Sequence, residues 1–235
     1  MSWFEWLISQ LRPGQPGFWL LVDALSAALL WWLKGSLSPR RANMARMVRW
    51  IGFPWLALMT GALSPELLGL SHLDWRTGLT FGVVYSAAVL GLLALITITT
   101  RHERLPVALE SSGAMVLYGA LYHGARQLHW CFLRALMLIL VASLPVPVES
   151  AEYWAILAAT ALALPGVWMI RDPLGRTYGL IALAATAILF FYTANFWLCW
   201  ALHVGIMLLS GTPAESQVAG TSTPAVGNLA PQPRR

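Results

Sequence analysis

The sequence predicts an all-α, polytopic transmembrane bundle of about eight spans, with seven as the alternative count. Three observations predict it. Of 235 residues, 58% are hydrophobic and 11% charged, and mean hydropathy is +0.64, whereas soluble domains carry about 25% charged residues. The apolar residues come in blocks of roughly the 17 to 25 that cross a bilayer as a helix. Thirteen tryptophans, often at block ends, suit the membrane interface, where an apolar ring with one N–H donor is most stable.

In chain order, residues 1–16 group Trp3, Phe4, Trp6 and Leu7 ahead of Pro13 and Pro16 and read as an interfacial segment. With no basic n-region or small-residue cleavage site, they are not expected to be a removable signal peptide. Candidate spans follow at 18–33, 47–63, 78–100, 106–122, 129–144, 153–170, 179–193 and 195–210. Lys34, Arg40, Arg41, Arg46 and Arg49 make 34–49 a basic loop, whose charge speaks for topology and anionic lipid rather than nucleic acid. The stretch 64–76 is too short and polar to span and reads as a surface helix. From Gly211 the chain turns to Gly, Pro, Ser, Thr, Ala and Gln, a composition that predicts a disordered tail over 211–235. The units are therefore an interfacial segment (1–16), an N-terminal group of spans (17–104), a C-terminal core (105–210) and the tail.

Counting bases places 34–49 in the cytoplasm of a bacterial inner membrane, 64–76 outside, and Arg101 to Arg104 inside again. With eight spans, Glu149 and Glu152 then face inward and Arg171 and Arg176 outward. That bias is wrong unless 106–144 crosses only once.

Polar side chains inside apolar blocks are costly and mark functional candidates. They are Asp23, Glu110, His123, Arg126, His129, Arg134, Asn195 and His203. Asp23 and Glu110 lie near span ends and are expected to reach the headgroups, while Arg126 stands between snorkelling and burial. Arg134 calls for an internal partner among His129, His203, Asn195, Glu110 and helix carbonyls. On a helix His123 and His129 fall about 120° apart, so they form no His-x-x-x-His metal clamp. Cys131 and Cys199 sit in apolar blocks without Cys-x-x-Cys spacing and read as packing residues.

Gly179 opens an apolar helix leading to Phe191-Tyr192-Thr193-Ala194-Asn195-Phe196-Trp197 and then Leu202-His203, and His129-Trp130-Cys131-Phe132-Leu133-Arg134 lies upstream. This layout resembles the CAAX prenyl protease and bacteriocin-processing (CPBP, or Abi) family of intramembrane proteases, over roughly residues 105–210. The resemblance implies a CPBP-like core in the C-terminal half. In that family a glutamate of the first motif is the general base and later His and Asn groups support the oxyanion. Here Arg134 and His203 match. His129 and Trp130 stand where the two glutamates belong, the second motif near Leu162–Gly166 has no His, and Met207 takes the place of the Asn.

The expected function is thus a pseudoenzyme, a scaffold or accessory subunit among other integral membrane proteins, with no cofactor. Two alternatives stay open. One is a divergent intramembrane protease or metal enzyme with His123, His129, His203 and Glu110 as ligands, a set that suits zinc. The other is haem or another tetrapyrrole ligated by His123 or His203, where Gly124 and Gly205 leave space for a flat ring.

Overall fold

A computed structural model describes residues 2–100, 113–170 and 172–210. Among these the protein is all-helical, with eight α-helices and no strand: α1 (Trp3–Gln10), α2 (Pro16–Trp32), α3 (Pro39–Met59), α4 (Trp75–Thr100), α5 (Gly113–Ala142), α6 (Ala151–Trp168), α7 (Pro173–Thr193) and α8 (Phe196–Ser210). Four contain stretches long and apolar enough to cross a membrane: Gly78–Thr99, Val116–Ala142, Ala151–Trp168 and Pro173–Thr193. The tail, Glu110 and the Arg101 to Arg104 run lie outside the described residues.

Helix starts follow local chemistry. Ser2 and Glu5 close a reciprocal capping box on α1, and Ser38 accepts from Arg41 N ahead of Pro39 in α3. Asp172 accepts from Gly175 N at 2.6 Å ahead of Pro173 in α7. Each cap satisfies an N–H that the first turn leaves unpaired, and proline at the first position has no N–H to lose.

Three expectations are corrected. The first is the joint between 106–122 and 129–144: α5 is one continuous helix of 30 residues. Its polar run 123–134 reads as a break, but each of those side chains turns into the bundle, and neither proline nor a glycine pair interrupts the backbone hydrogen bonds. At about 1.5 Å per residue, α5 is longer than the bilayer core. The second is the basic loop 34–49, of which only 33–38 lies between helices; Arg40, Arg41, Arg46 and Arg49 belong to α3. The third is the surface helix 64–76. Residues 64–74 form a chain of turns that folds inward, burying Leu68 and half-burying Leu67.

That loop docks on the break between α7 and α8. Phe196 N donates to Gly69 O at 2.9 Å. Gly69 has φ +70°, and a Cβ there would strike the Ala194 carbonyl and sit 2.8 Å from Phe196 N. Only glycine permits so close an approach in that conformation. Ala194 itself holds a left-handed φ of 43°, ending α7, and Asn195 Oδ1 accepts from Leu198 N at 3.2 Å to start α8.

The centre of the molecule is α5, packed by α2, α3, α6 and α8, while α7 is flanked by α4, α6 and α8. Small residues permit this. Ala155, Ala159 and Ala163 with Val167 place one buried stripe along α6, and Gly82 and Gly205 admit Leu198 and Leu90 where α4 and α8 run side by side. Between apolar helices in lipid, close packing takes the role that the hydrophobic effect has in water.

Because α2 through α8 alternate in direction up to the α7–α8 turn, the joints sort to two ends. Trp6 Nε1 donates to Ser143 Oγ at 3.3 Å, so α1 and the 143–150 joint share an end with 60–74 and the α7–α8 break. That end carries Glu5, Arg12, Glu66, Asp74, Arg76, Glu149 and Glu152 and is acidic on balance. The opposite end carries Arg40, Arg41, Arg46, Asp172 and Arg176 and is basic.

Candidate functional site

Two polar clusters lie inside the bundle, one on each side of α5. The first joins α2, α3 and α5. Asp23 is 6% exposed and accepts from Arg49 through both oxygens at 2.9 Å, while His129 Nε2 lies 3.0 Å from Asp23 Oδ1. Arg49 Nη2 also comes within 3.4 Å of His129 Nε2. A two-pronged guanidinium–carboxylate pair is the strong form of this interaction. Asp23 is therefore turned into the bundle rather than outward as expected, and a buried carboxylate needs the cation that Arg49 supplies. Trp50 covers the group, 6.4 Å from the His129 ring and 5.4 Å from Tyr122.

The second cluster joins α5, α7 and α8. His203 is fully buried and lies flat on Trp130, with ring centroids 4.7 Å apart and planes 1° from parallel. Its Nδ1 is 3.3 Å from Gln127 Oε1, and Gln127 Nε2 donates to Cys131 Sγ at 3.6 Å. With Nδ1 donating to that oxygen, Nε2 of His203 carries the free lone pair. It has no hydrogen-bond partner, and neither has His123 Nδ1, on a ring 5.1 Å away. Arg126 is 4% exposed and stands over Trp130 at 4.9 Å, so the snorkelling alternative gives way to burial.

Arg134 is 1% exposed. Among the described residues its partner is none of His129, His203 and Asn195: Nη2 donates to Thr186 Oγ1 at 3.2 Å, and the guanidinium lies 5.4 Å over Phe190. Both partners are on α7, which runs parallel to α5, whereas His129 and His203 are turned to other neighbours. Asn195 is spent on the α8 start, and Met207 is buried one turn beyond His203.

Sequence reasoning missed Arg49, Gln127 and Thr186. Arg49 had a signal, being the base that directly precedes the apolar Trp50–Ile51 run. Gln127 and Thr186 are amide and hydroxyl groups in apolar stretches, too common to stand out singly.

The candidate cofactors fare as follows. Among the described residues no three His, Cys, Asp or Glu side chains are placed to hold a metal ion, because His129 is committed to Asp23 while His123 and His203 meet on another face. Nor do Gly124 and Gly205 leave space for a flat ring. Trp200 fills the space beside Gly124, donating Nε1 to Ala120 O at 3.0 Å, and Leu90 fills that beside Gly205. Searches against protein-family models, curated proteins and solved structures find no match to this chain.

Proposed function

We propose that the protein is a seven-span membrane protein with a CPBP-like core that has lost the protease constellation and serves as a scaffold or accessory subunit of a membrane complex. The spans are α2 to α8, with α1 lying at the interface on its exposed Trp3, Phe4 and Leu7 face. The basic end is cytoplasmic, by the excess of arginine there.

The observation that carries the reading is the Trp130–His203 stack. In the resembled family a carboxylate belongs at position 130 to activate water; here an indole lies flat on the imidazole, and the pair is 3% and 0% exposed. An indole cannot accept a proton from water, so general-base chemistry has no base at that point. The purified protein is expected not to cleave prenylated or transmembrane peptides. Cleavage that vanishes in His203→Ala would overturn the reading. Native mass spectrometry of protein extracted from its own membrane in mild detergent should show one partner at fixed stoichiometry; a bare monomer would remove the subunit role.

A second reading, a divergent hydrolase, is favoured by one contact. His129 stands at the family's other glutamate position, and Asp23 of α2 brings a carboxylate to within 3.0 Å of its ring. In that arrangement the carboxylate orients an imidazole base. Any hydrolysis should then fall in both Asp23→Asn and His129→Ala, and the double variant should be no slower than His129→Ala, because residues that act as a unit are not additive.

A further inference from the structure

We infer that Cys131 and Cys199 form a two-coordinate site for a soft monovalent metal ion of the copper(I) or silver(I) class, with Arg134 as the counter-charge of the metal-thiolate group. Both cysteines are free and 0% exposed. They lie on α5 and α8, which pack against each other. The two helices run antiparallel, because α8 leaves the acidic end of the bundle at the Gly69 contact while α5 arrives there at Ser143. Their register is fixed where His203 Nδ1 meets Gln127 Oε1 at 3.3 Å. One turn on along α5 is Cys131 and one turn back along α8 is Cys199, so the same register sets the two thiols opposite each other. The contacts around them agree. Gln127 Nε2 donates to Cys131 Sγ at 3.6 Å, and Cys199 Sγ donates to Thr186 O at 3.5 Å. Thr186 also accepts from Arg134, which lies one turn beyond Cys131 on the same face of α5. Cys199 and Arg134 therefore meet on one residue, and the guanidinium acts on both sulfurs.

Arg134 supplies the independent observation. It is 1% exposed, no ion pair among the described residues includes it, and its Nη1 has no hydrogen-bond partner. A buried guanidinium with an idle donor and no carboxylate calls for an anion. Two neutral thiols do not supply one, but a metal bound to them does. A monovalent ion displaces both thiol protons, and two thiolates around one cation carry a single net negative charge, which Arg134 offsets. Soft sulfur ligands select copper(I) and ions like it. A closed-shell ion has no geometric preference of its own, so two sulfurs in line serve where a structural zinc takes four ligands. The site needs no cavity: with metal–sulfur bonds of about 2.3 Å, the sulfurs stand about 4.6 Å apart, close to van der Waals contact. His123 and His203 also offer free nitrogens on adjoining rings. They lie beside Arg126 and Trp130, however, where an added cation would meet a charge of its own sign.

The test uses the full chain, purified reduced in detergent and offered silver(I), copper(I) with a reductant, or zinc. One silver or copper ion per chain should survive gel filtration and zinc should not, and silver should raise the melting midpoint by about 5 °C. X-ray absorption of the copper-loaded wild type needs no variant: two sulfur neighbours support the site, and nitrogen neighbours overturn it. Binding should be lost in Cys131→Ser and in Cys199→Ser and kept in His123→Ala. Arg134→Gln should keep the two sulfur neighbours but weaken affinity about 10- to 100-fold, the usual effect of removing a group that supports metal ligands. No metal on the fully reduced chain, metal retained by the Cys131→Ser, Cys199→Ser double variant, or an unchanged affinity in Arg134→Gln overturns the proposal.

Discussion

Removing the Asp23 carboxylate strands the Arg49 guanidinium against His129, and a buried charge that loses its partner typically costs about 3–5 kcal/mol. Asp23→Asn should therefore lower thermal stability in detergent sharply, while Asp23→Leu combined with Arg49→Leu should lose less than Asp23→Asn alone. If the two losses simply add, the pair is not coupled. Arg134 behaves differently because its partner is a neutral hydroxyl. Thr186→Val deletes one hydrogen bond to a charged group and should cost about 1.5–3 kcal/mol; Arg134→Lys should cost as much, since an ammonium has no planar fork to span Thr186 and Phe190. Equal melting midpoints for wild type, Thr186→Val and Arg134→Lys would place Arg134 outside the buried network. At this scale the sequence identifies which groups need partners, because a charge in an apolar block stands out. It does not identify the partners, because Asp23 and Arg49 meet through helix packing across 26 positions and Arg134 meets Thr186 across 52.

The contact between the 60–74 loop and the α7–α8 break turns on two left-handed residues of opposite suitability. Gly69 sits at φ +70° against the backbone of Ala194 and Phe196, so Gly69→Ala meets fixed atoms as well as a disfavoured conformation. It should destabilise by about 2 kcal/mol or more. Ala194 holds φ 43° with a side chain that disfavours it, so Ala194→Gly should stabilise by about 1 kcal/mol. Opposite shifts in melting temperature verify the pair; shifts of one sign would mean the loop does not dock there. The most apolar long helices, α4 and α7, are legible from sequence because spanning length asks for nothing but an unbroken apolar run. The continuity of α5 is not, since a polar stretch such as 123–134 reads as a joint until the neighbours that receive its side chains are known. Nor is the inward fold of 64–74, where two leucines and one glycine decide the outcome inside a polar segment.

If α5 crosses the membrane once, its continuity sets the side of every joint that follows. If 106–144 crossed twice, Glu149 would lie on the same side as the 33–38 joint, and acidic and basic residues would share a face of the membrane. With one crossing, Glu149 and Glu152 fall at the end opposite Arg40, Arg41 and Arg46, where among the described residues only Arg12 and Arg76 are arginines. Cytoplasmic loops retain Lys and Arg during insertion, so a single crossing is also the arrangement that insertion favours. Single cysteines report this directly, because the native Cys131 and Cys199 are both fully buried and should stay silent to a membrane-impermeant maleimide. Glu149→Cys and Ser36→Cys are both at exposed positions outside the α-helices. In intact cells the reagent should label Glu149→Cys and spare Ser36→Cys until the membrane is opened. Labelling of both or neither in intact cells would restore a second crossing within 106–144, and labelling of Ser36→Cys alone would keep the single crossing but invert the protein in the membrane.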